Sequence, residues 1–192
     1  MTRVPVSNAS LEGASAHPSA GRCSGSAAVQ FAIIAPVLLL FLLGIIETGV
    51  IFFAQSSLQN AADDTARLVR TGQAQVQGLT EAQYISDVCS EMTGLIGSVA
   101  CNNNLLVDMR AYQTFASAQY VNVFKGNGTV NQNKLQFAAG SACDIVLVRV
   151  FYPWSIMTPL LTPLLQNLPN GQYLMTSAQS FRNEPYTSGA TC

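Results

Sequence analysis

Residues 27–53 of the chain read AAVQFAIIAPVLLLFLLGIIETGVIFF, and this stretch decides the architecture. Between Ala27 and Ile46 only Gln30 carries a strongly polar side chain. Roughly 20 residues of helix at ~1.5 Å rise per residue match the ~30 Å hydrocarbon core of a bilayer. The stretch therefore predicts a membrane-spanning helix.

The composition separates the anchor from the rest of the chain. Hydrophobic residues make up 49% of the 192 residues and charged residues 10%, against about 25% charged residues in a typical soluble domain. The part beyond the anchor is itself poor in charge, which indicates that partners cover some of its surface. The net charge is −1 and no basic run is present, so the sequence does not predict nucleic-acid binding.

Four segments follow from these patterns. Residues 1–25 are rich in Ser, Ala and Gly and are predicted to be a disordered or removed leader. Residues 26–53 form the transmembrane helix and residues 54–72 a helical stalk. Residues 73–192 form an extracytoplasmic head. A cleaved secretory signal fits poorly, because the apolar run is longer than the usual stretch of about 7–15 residues.

The periodicity beyond the anchor predicts an α+β fold, with a small antiparallel sheet and helices following one long helix. Spacings of three and four give the stalk one apolar stripe, formed by Leu58, Ala61, Ala62, Thr65, Leu68 and Val69. A second helix is predicted over residues 80–97, capped by Thr80. Its apolar face is predicted to consist of Ala82, Ile85, Val88, Cys89, Met92, Leu95 and Ile96. The strand candidates are residues 105–115, 144–152 and 172–181. The proline-rich segment between the last two strands predicts short helical turns.

The cysteines divide at the anchor. Cys23 precedes it, whereas Cys89, Cys101, Cys143 and Cys192 follow it. Four cysteines on one side fit two disulfides in an oxidising compartment, which favours a head outside and an amino terminus inside. Three pairings are possible, and we favour Cys89–Cys101 with Cys143–Cys192. The alternative is four reduced, buried thiols.

Catalytic motifs are lacking in the sequence. The sole histidine, His17, lies in the leader, so no Ser/His or Cys/His pair exists beyond the anchor. No zinc-type spacing and no phosphate-binding glycine loop occurs. We therefore expect a non-enzymatic protein without a metal, a cofactor or a small-molecule substrate.

Three regions of the sequence resemble the TadE-like proteins of bacterial tight-adherence (Flp-type) pilus systems. The first is GSAAVQFAIIAPVLLLFLLGIIETG (25–49), and the second is the stalk segment AADDTARLVRTGQ (61–73). The third is the distal pair CDIVLVRVFYPW (143–154) and SFRNEPY (180–186).

The resemblance implies a minor pilin or pseudopilin of an adhesive pilus, anchored in the bacterial inner membrane with its head in the periplasm. It implies other pilin-like subunits as partners, and a prepilin peptidase that cuts after Gly25 and leaves Ser26 first. The family-type residue at the fifth mature position is Glu, whereas this chain has Gln30. Gln30 can accept a hydrogen bond from a neighbouring terminal amine but cannot neutralise it, which favours a tip, base or priming role. The alternative is an uncleaved bitopic assembly factor or sensor whose head binds a periplasmic partner.

Five residues of the apolar run are candidates for helix packing. Ala28 and Ala32 form a small-residue pair, and Gly44 begins another, so helices could approach closely there. Pro36 removes one backbone hydrogen bond and predicts a kink, or else it is a tolerated membrane proline. Glu47 either pairs with a partner helix or lies at the level of the headgroups.

Three charged residues of the head are predicted to be structural. Arg149 lies in an otherwise apolar strand, so it pairs with a carboxylate of the head or reaches the surface along its stem. Arg182 and Glu184 in the RNEP segment are expected to hold the tail against the sheet.

Overall fold

The computed structural model describes residues 24–187 and 191–192. The chain divides into two units, Met1–Leu40 and Phe41–Cys192. The predictions for most of the leader, including those for Cys23 and His17, lie outside the described residues.

The first helix, α1, is Ser24–Arg70 and has 47 residues. The predicted continuity of the anchor and the stalk in one helix is therefore confirmed. Pro36 lies inside α1, and the kink expected there stays a prediction. Among the described residues, α1 alone is long and apolar enough to cross a membrane.

The described part of the second unit contains four further α-helices and three strands. The helices are α2 (Gln73–Gln77), α3 (Glu81–Glu91), α4 (Ser98–Asn104) and α5 (Thr162–Leu165). The strands are β1 (Leu106–Tyr112), β2 (Ile145–Ser155) and β3 (Gln172–Arg182). Together with α1 they confirm the predicted α+β fold class.

The sheet is antiparallel, with the strand order β1-β2-β3. All three predicted strands are present, with shifted ends. β2 continues past Tyr152 through Pro153, where the sequence predicted its end. Beyond Phe151, β2 pairs with β3 alone, and a proline is tolerated where one side of a strand is unpaired.

The main core lies between α1, α3 and one face of the sheet. The predicted stalk stripe is confirmed: its members are buried apart from Leu68, which is half-buried. Small side chains such as Ala61 and Ala62 let the helix pack closely in this core. Gln55 adds a polar link, because its Nε2 donates to the carbonyl of Thr176 on β3 at 2.8 Å.

The second predicted helix is shorter than expected. Thr80 caps α3 as predicted, since its Oγ1 accepts the amide of Gln83. The helix ends at Glu91, where residues 92–97 form a glycine-containing turn before α4. The predicted apolar face was wrong at Ala82, which is exposed; Tyr84 is fully buried instead.

The other sheet face is covered by the segment between β1 and β2. Val123 is fully buried there, and Phe124 contacts Phe151 edge-on with ring centroids 5.8 Å apart. Residues 136–138 pair with β1, because Met109 donates to the carbonyl of Gln136 at 2.7 Å. This segment therefore shields both a face and an edge of the sheet.

Candidate functional site

The candidate site is the apolar helix surface, which we define as the exposed apolar side chains of α1 in residues 29–46. Their exposed fractions run from 47% at Leu42 to 73% at Phe31. Exposed apolar area costs about 25 cal/mol per Å² in water, and a patch of this extent marks a surface that lipid or another protein covers. The arrangement is suited to insertion and helix packing.

The predicted processing residues lie at the start of α1. Gly25, Ser26 and Gln30 are all exposed on this helix. A Cβ added at Gly25 would meet nothing within 4 Å. Cleavage between Gly25 and Ser26 stays a prediction.

The five predicted packing residues have different surroundings. Ala28, Ala32 and Pro36 are exposed, Gly44 is half-buried and Glu47 is buried. Their packing against partner helices stays a prediction.

Gly44 faces a residue of its own chain. A Cβ added at Gly44 would lie 3.5 Å from Cδ1 of Leu161. Leu161 belongs to the β2–β3 loop, which we define as residues 156–171. The absence of a side chain at Gly44 therefore lets this loop approach α1 closely.

Glu47 fixes the same loop to α1 by hydrogen bonds. The side chain is only 3% exposed. Its Oε1 accepts the backbone N–H of Met157 at 2.5 Å, and its Oε2 accepts that of Thr158 at 3.1 Å. Burying a carboxylate is costly unless donors surround it, and hydrogen bonds to a charged acceptor are among the strongest in proteins. The Glu47 carboxylate therefore holds the β2–β3 loop against α1.

Both favoured disulfides are confirmed. Cys89 of α3 is bonded to Cys101 of α4 across 12 residues, and Cys143 is bonded to Cys192 across 49 residues. The first holds the turn between the two helices closed. The second ties the last residue of the chain to the segment that leads into β2.

The predicted carboxylate partner of Arg149 is Asp108, which lies opposite it on β1. Asp108 also accepts from Nε of Arg110 at 3.0 Å and from the amide of Gln136. Burial alone would raise the pKa of Asp108, but the hydrogen bonds from both arginines and the Gln136 amide hold it below its usual value. Neither Asp108 nor Arg110 was singled out in the sequence, because a strand pattern does not reveal which residue lies across the sheet.

Arg182 and Glu184 of the RNEP segment were both expected to hold the tail against the sheet, but the contacts of Glu184 are with α1 instead. Nε of Arg182 donates to the carbonyl of Cys143 at 3.1 Å. Glu184 binds the stalk, because its amide donates to the carbonyl of Arg70 at 2.8 Å and its Oε1 lies 3.6 Å from Nε of Arg70. Fixing the tail to α1 was not predicted.

Within residues 24–187 and 191–192, no three His, Cys, Asp or Glu side chains are grouped so that they could hold a metal ion. The residues brought together around α1 are instead apolar side chains, one carboxylate and backbone amides. This arrangement is suited to packing against other surfaces.

Comparison with curated proteins and with solved structures gave no match. One family model, described as TadE-like protein, matches residues 25–67. The match begins at the predicted processing glycine and covers the apolar helix surface and most of the stalk. The resemblance to the TadE-like family is therefore confirmed over the segment that forms α1.

Proposed function

We propose that this chain is a TadE-like minor pilin or pseudopilin that takes part in the assembly of an adhesive tight-adherence (Flp-type) pilus. The observation that carries the proposal is the family match over residues 25–67, which coincides with an apolar helix whose side chains are exposed. Such a surface is suited to residence in a bilayer and then to packing against helices of other pilin-like subunits.

The proposed processing step is hydrolysis of the peptide bond between Gly25 and Ser26 by a prepilin peptidase. Cleavage gives Ser26 a free amino group. Gln30 follows four residues later on the same helix, so the two lie one turn apart on one face. The amide oxygen of Gln30 can accept a hydrogen bond from a neighbouring subunit's amine without neutralising its charge. A place at the tip, at the base or in priming of the filament suits this chemistry.

The proposed location is the inner membrane, crossed once, with the amino terminus inside and the head in the periplasm. The two disulfides support this orientation, because disulfides persist in oxidising compartments and are rare in the cytosol. The short segment before α1 is then cytoplasmic until the peptidase removes it. In this position the head projects toward periplasmic pilus components.

The test of this function is the composition of sheared pili. We expect mass spectrometry of pili from the native host to detect peptides of the head in small amounts beside the major pilin. A Gln30→Glu variant is the matched control, because it restores the family-type carboxylate; we expect it to enter the filament at a higher level. Absence of both chains from sheared pili would contradict the proposed subunit role.

A second function is favoured by two specific features. Gln30 lacks the carboxylate of the family pattern, and Glu47 is engaged by its own β2–β3 loop. These features suit an uncleaved bitopic assembly factor or sensor that binds a periplasmic partner through its head. Such a protein keeps its leader and stays with the membrane when pili are sheared.

A further inference from the structure

The β2–β3 loop carries an exposed apolar surface that the proposed packing of α1 does not use. Met157, Leu160 and Leu164 are 66%, 68% and 80% exposed. Pro159 and Pro163 between them are exposed as well. Apolar side chains in a contiguous exposed patch mark a contact surface.

The sequence around this loop is uncharged over an unusual length. Residues 150–181 contain no Asp, Glu, Lys or Arg. A solvated loop ordinarily carries charged side chains, whereas a segment that enters a bilayer has to avoid them, since charge at that depth is costly. The composition of the loop is therefore that of a lipid-contacting segment.

The contacts with α1 fix the level of the loop. Leu161 packs at Gly44, which lies inside the apolar run of residues 27–46. Glu47, the first residue after that run, binds the amides of Met157 and Thr158. If residues 27–46 of α1 cross the bilayer, the loop therefore lies at the depth of the last turn of the membrane-spanning segment.

The exposed side chains of the loop lie close to the loop residues that contact α1. Leu164 donates its amide to the carbonyl of Leu161 at 3.0 Å, so it lies within one turn of the contact with Gly44. Ile45, the residue after Gly44 on α1, is 70% exposed. The two apolar surfaces are thus neighbours at one end of the span.

We infer that the β2–β3 loop is a second membrane-contacting segment, which enters the bilayer interface beside α1 and packs against acyl chains. The inference rests on the proposed insertion of α1, because the helix sets the depth. Entry into the interface does not leave these polar groups without hydrogen-bond partners. The Glu47 carboxylate accepts from the loop amides, and the backbone of the turn makes its own hydrogen bonds. The loop thereby holds the head against the membrane surface.

Tryptophan quenching by lipid tests this contact in the full chain. Trp154 is the only tryptophan, so a Trp154→Phe background allows single probes to be placed. The probe variant is Leu164→Trp, in vesicles of phosphatidylethanolamine and phosphatidylglycerol with brominated acyl chains. We expect bromination to remove most of its emission.

Two matched variants make the result decisive. Ile45→Trp reports insertion of α1 itself and is expected to be quenched. Val76→Trp on α2 is 78% exposed and lies beyond the far end of α1, so it is expected to keep its emission. Quenching at Ile45→Trp without quenching at Leu164→Trp overturns the contact between the loop and lipid, while insertion of α1 remains supported. The same result is expected if another protein, and not lipid, covers the loop. No quenching at either position contradicts the anchor.

A second measurement needs no substitution. Phospholipids that carry a photoactivatable diazirine on the acyl chain are expected to label residues 157–165 of the unaltered chain as well as α1. Labelling confined to α1 overturns the inference even if a tryptophan variant fails to fold.

Discussion

Nη2 of Arg149 lies 2.5 Å from Oδ2 of Asp108, and neither side chain is more than 7% exposed. The two residues are direct cross-strand partners on β1 and β2. Arg149 Nη2 also donates to the carbonyl of Val121 at 2.8 Å. The pair therefore joins the two strands to the segment that covers this face of the sheet.

Replacing Arg149 with Met tests the stability that this pair provides. Removing one partner of a buried ion pair leaves an undercompensated charge, which costs about 3–5 kcal/mol; because Arg110 still binds Asp108, we expect about 3 kcal/mol. The measurement is the free energy of unfolding in detergent by denaturant titration. Lys125→Met, an exposed lysine on the same connection, is the control and should change it by less than about 0.5 kcal/mol. Equal effects of the two variants would refute a stabilising role for the pair.

The same pair predicts acid sensitivity. Because the pKa of Asp108 is lower in the folded chain than in the unfolded chain, its stabilisation is fully present above the unfolded pKa. That stabilisation is lost as the pH falls through the folded pKa, since the native state must then take up a proton. We expect the melting temperature of the wild type to drop on acidification, and an Asp108→Asn variant to start lower and drop less. Parallel curves for the two proteins would show that another group controls the response.

The disulfides differ in the length of chain that they close. Each is expected to contribute about 2–4 kcal/mol, and loop-closure entropy gives the longer loop about 1 kcal/mol more. The double variant Cys143→Ala/Cys192→Ala should therefore lose more stability than Cys89→Ala/Cys101→Ala in denaturant unfolding. Reduction of the wild type that leaves its unfolding midpoint unaltered would contradict both contributions.

Glu47 gives a local prediction for the β2–β3 loop. In a Glu47→Ala variant the amides of Met157 and Thr158 lose their acceptor, and a hydrogen bond to a charged group contributes about 1.5–3 kcal/mol. We expect their hydrogen exchange to become at least ~10-fold faster, with a smaller change in Glu47→Gln, which keeps an acceptor oxygen. Glu91→Ala, an exposed glutamate on α3, is the control. Unchanged exchange in Glu47→Ala would mean that the loop is held by its apolar contacts alone.

The elements with a long or strict pattern could be predicted from the sequence. The apolar run and the stripe from Leu58 to Val69 define α1, and alternation along β2 defines the central strand. The disulfide pairing followed from the position of Cys192 and the short spacing of Cys89 and Cys101. These features depend on local periodicity or on few alternatives.

The contacts between distant segments could not be predicted in this way. The pairing of Asp108 with Arg149 depends on strand register. The hydrogen bond between Glu47 and the Met157 amide joins residues 110 positions apart in the chain. The burial of Tyr84 in place of Ala82 depends on which side of α3 faces the core. Each is decided by tertiary packing, which no local pattern encodes.

The mass of the mature amino terminus tests the central claim most directly. The chain purified from membranes of a strain with an active prepilin peptidase is predicted to begin at Ser26, because the proposed cleavage follows Gly25. The same chain from a peptidase-deficient strain, or with a substitution at Gly25, should keep the leader. A chain that begins at Met1 in the peptidase-active strain would contradict the account and favour the uncleaved membrane factor.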